Sequence, residues 1–243
     1  MSREWYDSRS AQHHLIRYRG ALGRYFRHQE QDLVLTGLQI TGKRVLDLGS
    51  GAGRLAEVLA KMNARAVLAC DLSYAMVKAA SSHGAPDCVF HFVCDGKKLP
   101  LPDCSIDVAF ALGTLEATKD IVPFATEIHR VLCPYGTFVF TVWNRNRWYR
   151  LGLFDGRRAG SFDHDADELR QVLEANAFDN VNVRTTLFLP RGLFWIGYRC
   201  SKLLLLDGVF VWICNLAASF LRDFKMSRKR GWVLVVSAKA AGE

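Results

Sequence analysis

Apolar and polar positions alternate in blocks along most of the chain. Seven apolar runs have the length of strands: 43–48, RAVLACD (65–71), CVFHFVCD (88–95), SIDVAFAL (105–112), YGTFVFTVWN (135–144), VNVRTTLFL (181–189) and GWVLVVSAKA (231–240). In the first of them Val45, Leu46 and Leu48 read as strand formers covered on both faces, as in a parallel sheet. The stretches between them carry apolar residues at helical spacing. Leu55, Val58, Leu59 and Met62 form one such face, LSYAMVKAA and DIVPFATEIHRVL supply others, and DADELRQVLEANAF opens on Asp165, a suitable cap. Strands alternating with helices predict a doubly wound α/β sheet with right-handed crossovers.

The first strand ends in DLGSGAG. Val45, Leu46 and Leu48 are strand formers, Asp47 interrupts them, and Gly49, Gly51 and Gly53 follow in alternation. Glycines there allow dihedrals other residues resist and remove Cβ atoms where a bound molecule would come close to the backbone. A dinucleotide fingerprint needs glycine where Arg54 stands, and a phosphate-gripping loop needs GK[ST], which is missing. Asp47 would repel a pyrophosphate but can hold a cationic amino group.

Composition narrows the class. At 243 residues, half of them hydrophobic, the chain can bury one α/β core with additions. The net charge of +8 is clustered in RYRGALGRYFRH, in NRNRWYR with GRR, and in RDFKMSRKR. Such clusters suit nucleic acid, anionic lipid or an acidic substrate. Seven cysteines with no CxxC pair suit reduced thiols better than a disulfide scaffold. Cys88, His91 and Cys94 tempt a metal reading, but a three-residue step along a strand puts His91 on the face opposite both cysteines, so no metal is expected. The N-terminus MSREWYDSRSAQHH has no apolar signal core, and a cytoplasmic location is expected.

The DLGSGAG turn after a buried strand resembles motif I of the class I S-adenosylmethionine (SAM) dependent methyltransferases. Later strand ends agree with it. Asp71 follows Gly51 by twenty residues, at the spacing of a ribose-binding acid. CDGKKLP, with Asp95 and Gly96, resembles the family's acid-small-x-x-leucine-proline segment; IDVAFALGTLEA resembles motif IV; and RVLCPYGTFVF resembles the family's RVLKPGG turn, with Tyr135 replacing one glycine. The resemblance covers 43–143 closely and implies SAM as cofactor. It implies that Asp47, Gly49, Ser50, Gly51 and Gly53 hold the methionine part, Asp71 the ribose, Leu72 and Met76 the adenine face, Asp95 and Gly96 the adenine amino group, and the backbone near Leu112 the rest. The family's sheet has seven strands, the last antiparallel. Glu116, just past the fourth strand, is the candidate base or acceptor-orienting group. Trp143 and Asn144 are expected to line the acceptor site, Asp163 and His164 are weaker candidates, and His129 is expected to be structural. Arg145, Arg147 and Arg150 could recognise an acidic substituent.

The predicted organisation is an N-terminal helical lid over 1–42 with Tyr18 and Arg19 as lid candidates, a SAM-binding core over 43–190, an apolar helical insertion over 191–226, and a final strand of the core over 227–243. The insertion culminates in LLLLDGVFVWICNLAASFL and nearly reaches the length of a membrane span. Two features oppose a crossing. Asp207, Gly208, Asn215, Ser219 and Arg222 fall on one arc of a helical wheel, and a single crossing would put the final strand across the bilayer from its sheet. The insertion is therefore expected to cover the substrate or rest on a membrane surface. No NPPY-like or Pro-Cys motif marks a nucleic-acid substrate, and the apolar insertion favours a small hydrophobic acceptor such as a quinone, polyketide, terpenoid or lipid-linked molecule. The alternative is a catalytically silent SAM-fold scaffold; a nicotinamide oxidoreductase is disfavoured by the glycine phase. The oligomeric state is not legible.

Overall fold

The structure, a computed structural model, describes residues 34–82, 84–146, 161–186, 206, 208–210, 212–214, 216 and 233–242. Its named strands are β1 (Arg44–Leu48), β2 (Ala66–Asp71), β3 (Val89–Val93), β4 (Ile106–Leu112), β5 (Leu132–Asn144), β6 (Asp163–His164), β7 (Phe178–Thr186) and β8 (Val233–Ala240). The helices are α1 (Arg54–Lys61), α2 (Tyr74–Ser81), α3 (Val122–Val131) and α4 (Ala166–Ala175), with a 3₁₀ turn at Leu115–Ala117. One sheet joins the strands in the order β3-β2-β1-β4-β5-β8-β7, and β6 adds to the end of β5.

Pairing from β3 through β5 is parallel, while β8 runs antiparallel to both β5 and β7. The expected doubly wound sheet with an antiparallel last strand is thus present, enlarged by the two-residue β6, which pairs parallel with Trp143 and Asn144. The strand order reverses between β1 and β4, and ligands of such sheets lie outside the strand carboxyl ends at that reversal.

The two core layers follow from the alternation of side chains along each strand. Leu46 and Leu48 pack with Phe138, Phe140, Ile128 and Leu173, on the side of α3 and α4. Val45 packs with Phe110, Val139, Leu55 and Leu59, on the side of α1. Asp47, two residues from Val45, therefore also faces α1. Val34 and Ile40 join this second layer, so the described end of the 1–42 segment belongs to the core. Tyr18 and Arg19 lie outside the described residues.

Several boundaries shift from the sequence expectation. α4 starts after Asp165, whose carboxylate accepts from the N–H groups of Asp167 and Glu168, as a cap should. β7 begins at Phe178, because Phe178 is buried against Phe138 rather than ending the helix. α3 passes directly into β5 at Leu132. Early in β5, exposed Tyr135 has φ 63°, a left-handed conformation that glycine adopts without strain.

Candidate active site

The glycine turn is latched to the end of β2. The N–H groups of Gly49 and Ser50 both donate to the Cys70 carbonyl, at 2.7 and 2.9 Å. The Gly51 N–H donates to Asp71 Oδ2 and the Ser73 N–H to Asp71 Oδ1, each at 2.9 Å. Gly49, Gly51 and Gly53 all have positive φ (72°, 56° and 80°), the region where a Cβ is strained. The chain's own atoms also demand two of them. A Cβ on Gly49 would overlap the Thr114 side chain, with Cγ2 at 2.6 Å, and one on Gly53 would lie 3.0 Å from His91 Cε1. Thr114, whose hydroxyl donates to the Leu48 carbonyl at 3.0 Å, occupies the space above Gly49.

Beneath this turn lies Asp47, 2% exposed. One side of its carboxylate is served by the Ala56 N–H at the start of α1; Oδ2 is buried with no hydrogen-bond partner among the described residues. Burial pushes its pKa up to about 7, and the neighbouring Asp71 charge pushes the same way, against the pull of Arg54 and the Ala56 N–H. The Ser50 hydroxyl is a second buried polar atom there without a described partner. Buried polar groups are rarely left unsatisfied, and these two are an acceptor that gains from a positive charge and a hydroxyl that can donate or accept. That is a donor set suited to the ammonium and carboxylate of an amino acid, so the turn fits the methionine part of SAM.

The neighbouring strand ends complete this side. Leu72 is exposed beside Asp71, whereas Met76 is fully buried under the first turn of α2, so the apolar surface offered after β2 is that of Leu72. Ser73, also buried, caps α2 by accepting from the Met76 N–H. Asp95 is exposed and its Oδ1 accepts from the Lys97 N–H at 3.0 Å. Gly96 is required by packing, because a Cβ would lie 2.7 Å from Leu48 Cδ1. The loop behind it is braced by Glu127, which accepts from the Leu99 N–H at 2.6 Å, and by Arg130, which donates to the carbonyls of Leu99 and Leu101. Arg130 beside Glu127 holds the Glu127 carboxyl below its ordinary range.

On the other side of the reversal, Leu112 ends β4 half-buried and the Gly113 N–H donates to the Thr141 hydroxyl at 2.8 Å. Glu116 follows on the 3₁₀ turn, half-buried, with Oε1 3.5 Å from where a Cβ on Gly113 would stand. β6 fastens this turn: the Phe162 N–H donates to the Glu116 carbonyl at 2.8 Å, and the His164 ring bonds the carbonyls of Thr118, at 3.1 Å from Nε2, and Leu115. Burial is the strongest influence on His164 and lowers its pKa, although both carbonyls favour N–H on the ring. His164 is thus a structural tie. Asn144 is buried too, with Oδ1 accepting from the Asn146 N–H. Arg145 is engaged by Glu168 through two bonds of 2.6 and 2.8 Å, while Arg147 and Arg150 lie outside the described residues. Trp143 Nε1 is buried without a described partner and remains an uncommitted donor beside the turn.

Sequence reasoning missed Thr114, Thr141 and β6, whose roles depend on contacts between distant strands. Ser73 it could have found, since a serine preceding a helical run is a cap signal.

A parallel sheet reversing beside β1, with a glycine turn over a buried acid and a second acid closing β2, defines the class I SAM-dependent methyltransferase fold. Residues 46–140 match the family described as the methyltransferase domain. The chain is 29% identical over 163 residues to the malonyl-[acyl-carrier protein] O-methyltransferase of Yersinia pestis, covering 65% of this chain and 59% of the relative. It is 35% identical over 105 residues to the 2-methyl-6-phytyl-1,4-hydroquinone methyltransferase of Synechocystis sp., covering 43% of this chain and 33% of the relative. The matched segments therefore span less than two thirds of these relatives. The solved structure of phosphoethanolamine N-methyltransferase 2 of Haemonchus contortus, in complex with SAM, shares the fold with a TM-score of 0.70 at 17% identity, over 100% of this chain and 60% of that one.

Proposed function

We propose that the protein transfers the methyl group of SAM to a small hydrophobic acceptor, of the natural-product, quinone or lipid-linked kind, by in-line displacement. The observation that carries the cofactor reading is the pair of buried polar atoms without described partners, Asp47 Oδ2 and Ser50 Oγ, at the positive-φ turn. When bound, SAM supplies an electrophilic methyl on a sulfonium. The chain's own work is then to bind, align and keep water out. Asp47 holds an ammonium, Asp71 accepts ribose hydroxyls, and Leu72 covers the adenine. Glu116 receives or orients the acceptor proton, held in place by the β6 tie.

The acceptor reading draws on the apolar insertion and on relatives named for a phytyl hydroquinone and an acyl-carrier substrate. We place the enzyme in the cytoplasm, touching a membrane through 191–226; among the described residues, no helix is long and apolar enough to cross one. Calorimetry with SAM and S-adenosylhomocysteine tests the cofactor. Saturable binding of either is expected, and binding of neither overturns the reading. A screen of quinols, fatty acyl thioesters and phenolic polyketides for methyl incorporation tests the acceptor class.

A further inference from the structure

The positions 208–210, 212–214 and 216 are helical, and the Phe210 N–H donates to the Leu206 carbonyl at 3.0 Å, closing the first turn. The side chains sort into faces. Cys214 is buried and Phe210 half-buried, so this face rests on the protein. Leu206, Val209, Trp212, Ile213 and Leu216 are all exposed, by 49%, 50%, 64%, 51% and 45%. At about 100° per residue these five positions occupy a single arc of roughly 120°. Gly208 lies beyond it, on the arc shared by Asp207, Asn215, Ser219 and Arg222, four positions outside the described residues.

A helix packed on a water-soluble core turns its polar face outward. This one turns outward an unbroken stripe of large apolar side chains, including a tryptophan, the residue that sits well at a lipid headgroup boundary.

Charge says what covers the stripe. Residues 191–230 contain eight Lys or Arg against two Asp or Glu, so this one segment carries six of the eight net positive charges of the chain. The basic residues lie on both sides of positions 206–216 in sequence, with Lys202 before them and Arg222, Lys225, Arg228, Lys229 and Arg230 after them. An exposed apolar stripe flanked by cations matches the two signals a peripheral protein uses on a bilayer: burial of apolar side chains among acyl chains and attraction to anionic headgroups.

We propose that the outward face formed by Leu206, Val209, Trp212, Ile213 and Leu216 docks the protein on the surface of an anionic phospholipid bilayer. The proposal rests on reading 191–226 as peripheral, and it does not require the methyl-transfer reading. It gives that reading a route for an apolar acceptor, from the bilayer rather than from water.

The test is cosedimentation of the whole protein with vesicles of phosphatidylcholine alone or of phosphatidylcholine with phosphatidylglycerol, alongside calorimetry with S-adenosylhomocysteine. Expected are binding to the anionic vesicles, weakening as salt is raised, and a loss of at least about tenfold in W212S/I213S with unchanged S-adenosylhomocysteine affinity. Should the double variant fail to melt cooperatively, V209S carries the same comparison. Failure to bind anionic vesicles, equal binding to both vesicle types, or equal binding by wild type and folded variant each overturns the proposal. So does a dimer, or a complex with an acidic carrier protein, that the variant abolishes while vesicle binding persists. Loss of S-adenosylhomocysteine binding by the wild type overturns the cofactor reading and leaves the docking face standing.

Discussion

The two sides of the strand-end surface hold their key groups by different means. On the side of β1, β2 and β3, the turn and its acids are joined over short distances in sequence. Asp71 bonds residues two and twenty positions away, and Asp47 is served by Ala56 at the start of the next helix. On the side of β4, β5 and β6, Glu116 is placed by Phe162 and its turn by His164, a partner forty-six residues from Thr118. The first arrangement is a local motif, which on the proposed reading grips the cofactor. The second is assembled across the fold, where on the same reading a change of loop can alter the acceptor and leave the cofactor grip intact.

If the cofactor side is a strained and partly unsatisfied structure awaiting its ligand, Asp47 should show the largest effect. Its folded pKa of about 7 lies above the ordinary 3.8, so between these values the folded chain keeps a proton that the unfolded chain releases. The resulting stability is full below the unfolded value and is lost as pH rises through about 7. It amounts to at most about 4 kcal/mol, at 1.4 kcal/mol per pH unit. Denaturant melts at pH 5 and pH 7.5 should show wild type losing more stability than Asp47→Asn across that interval. Equal slopes would remove the buried carboxylate from the account. S-adenosylhomocysteine should bind wild type more tightly above pH 7 than below, with proton release at the lower pH.

Gly49→Ala comes next. The new Cβ overlaps Thr114 and sits at φ 72°, which should cost on the order of 3 kcal/mol and lower the melting temperature by roughly 6–12 °C. Adding Thr114→Ala should restore part of the loss. A melting temperature within about 2 °C of wild type would show that the turn yields easily.

Asp71→Ala should cost about 2 kcal/mol, because it strips acceptors from the N–H groups of Gly51 and Ser73, and should weaken S-adenosylhomocysteine at least about tenfold. Weakened binding without lost stability would assign Asp71 to the ligand alone.

The asymmetry also explains what could be read in advance. The sheet was legible because most of its strands are apolar runs and the crossover helices have their own period. The turn and its acids were legible because Asp47, the glycines and Asp71 lie within one βαβ unit. Met76 is buried under α2, and its spacing says which face it takes but not that α2 closes over it. β6 has two residues and no period, so nothing announced it or the bonds of the His164 ring to the Leu115 and Thr118 carbonyls. In the insertion the pattern showed which arc was polar; that the apolar arc faces outward depends on what else covers the helix, which spacing does not encode.

The smallest expected effects separate chemistry from scaffolding on the acceptor side. Glu116→Gln keeps the size and backbone bond of the residue but removes its charge. Once an acceptor is in hand, turnover should fall about tenfold, equivalent to about 1.4 kcal/mol, while S-adenosylhomocysteine affinity and melting temperature stay near wild type. His164→Asn removes the ring that bonds the Leu115 and Thr118 carbonyls and should lower stability by about 1 kcal/mol. If β6 matters because it places Glu116, His164→Asn should lower turnover in the wild-type background and do little more in Glu116→Gln. Additive losses in the double variant would mean that the tie and the carboxylate act independently, and that the acceptor side is less of a unit than its hydrogen bonds indicate.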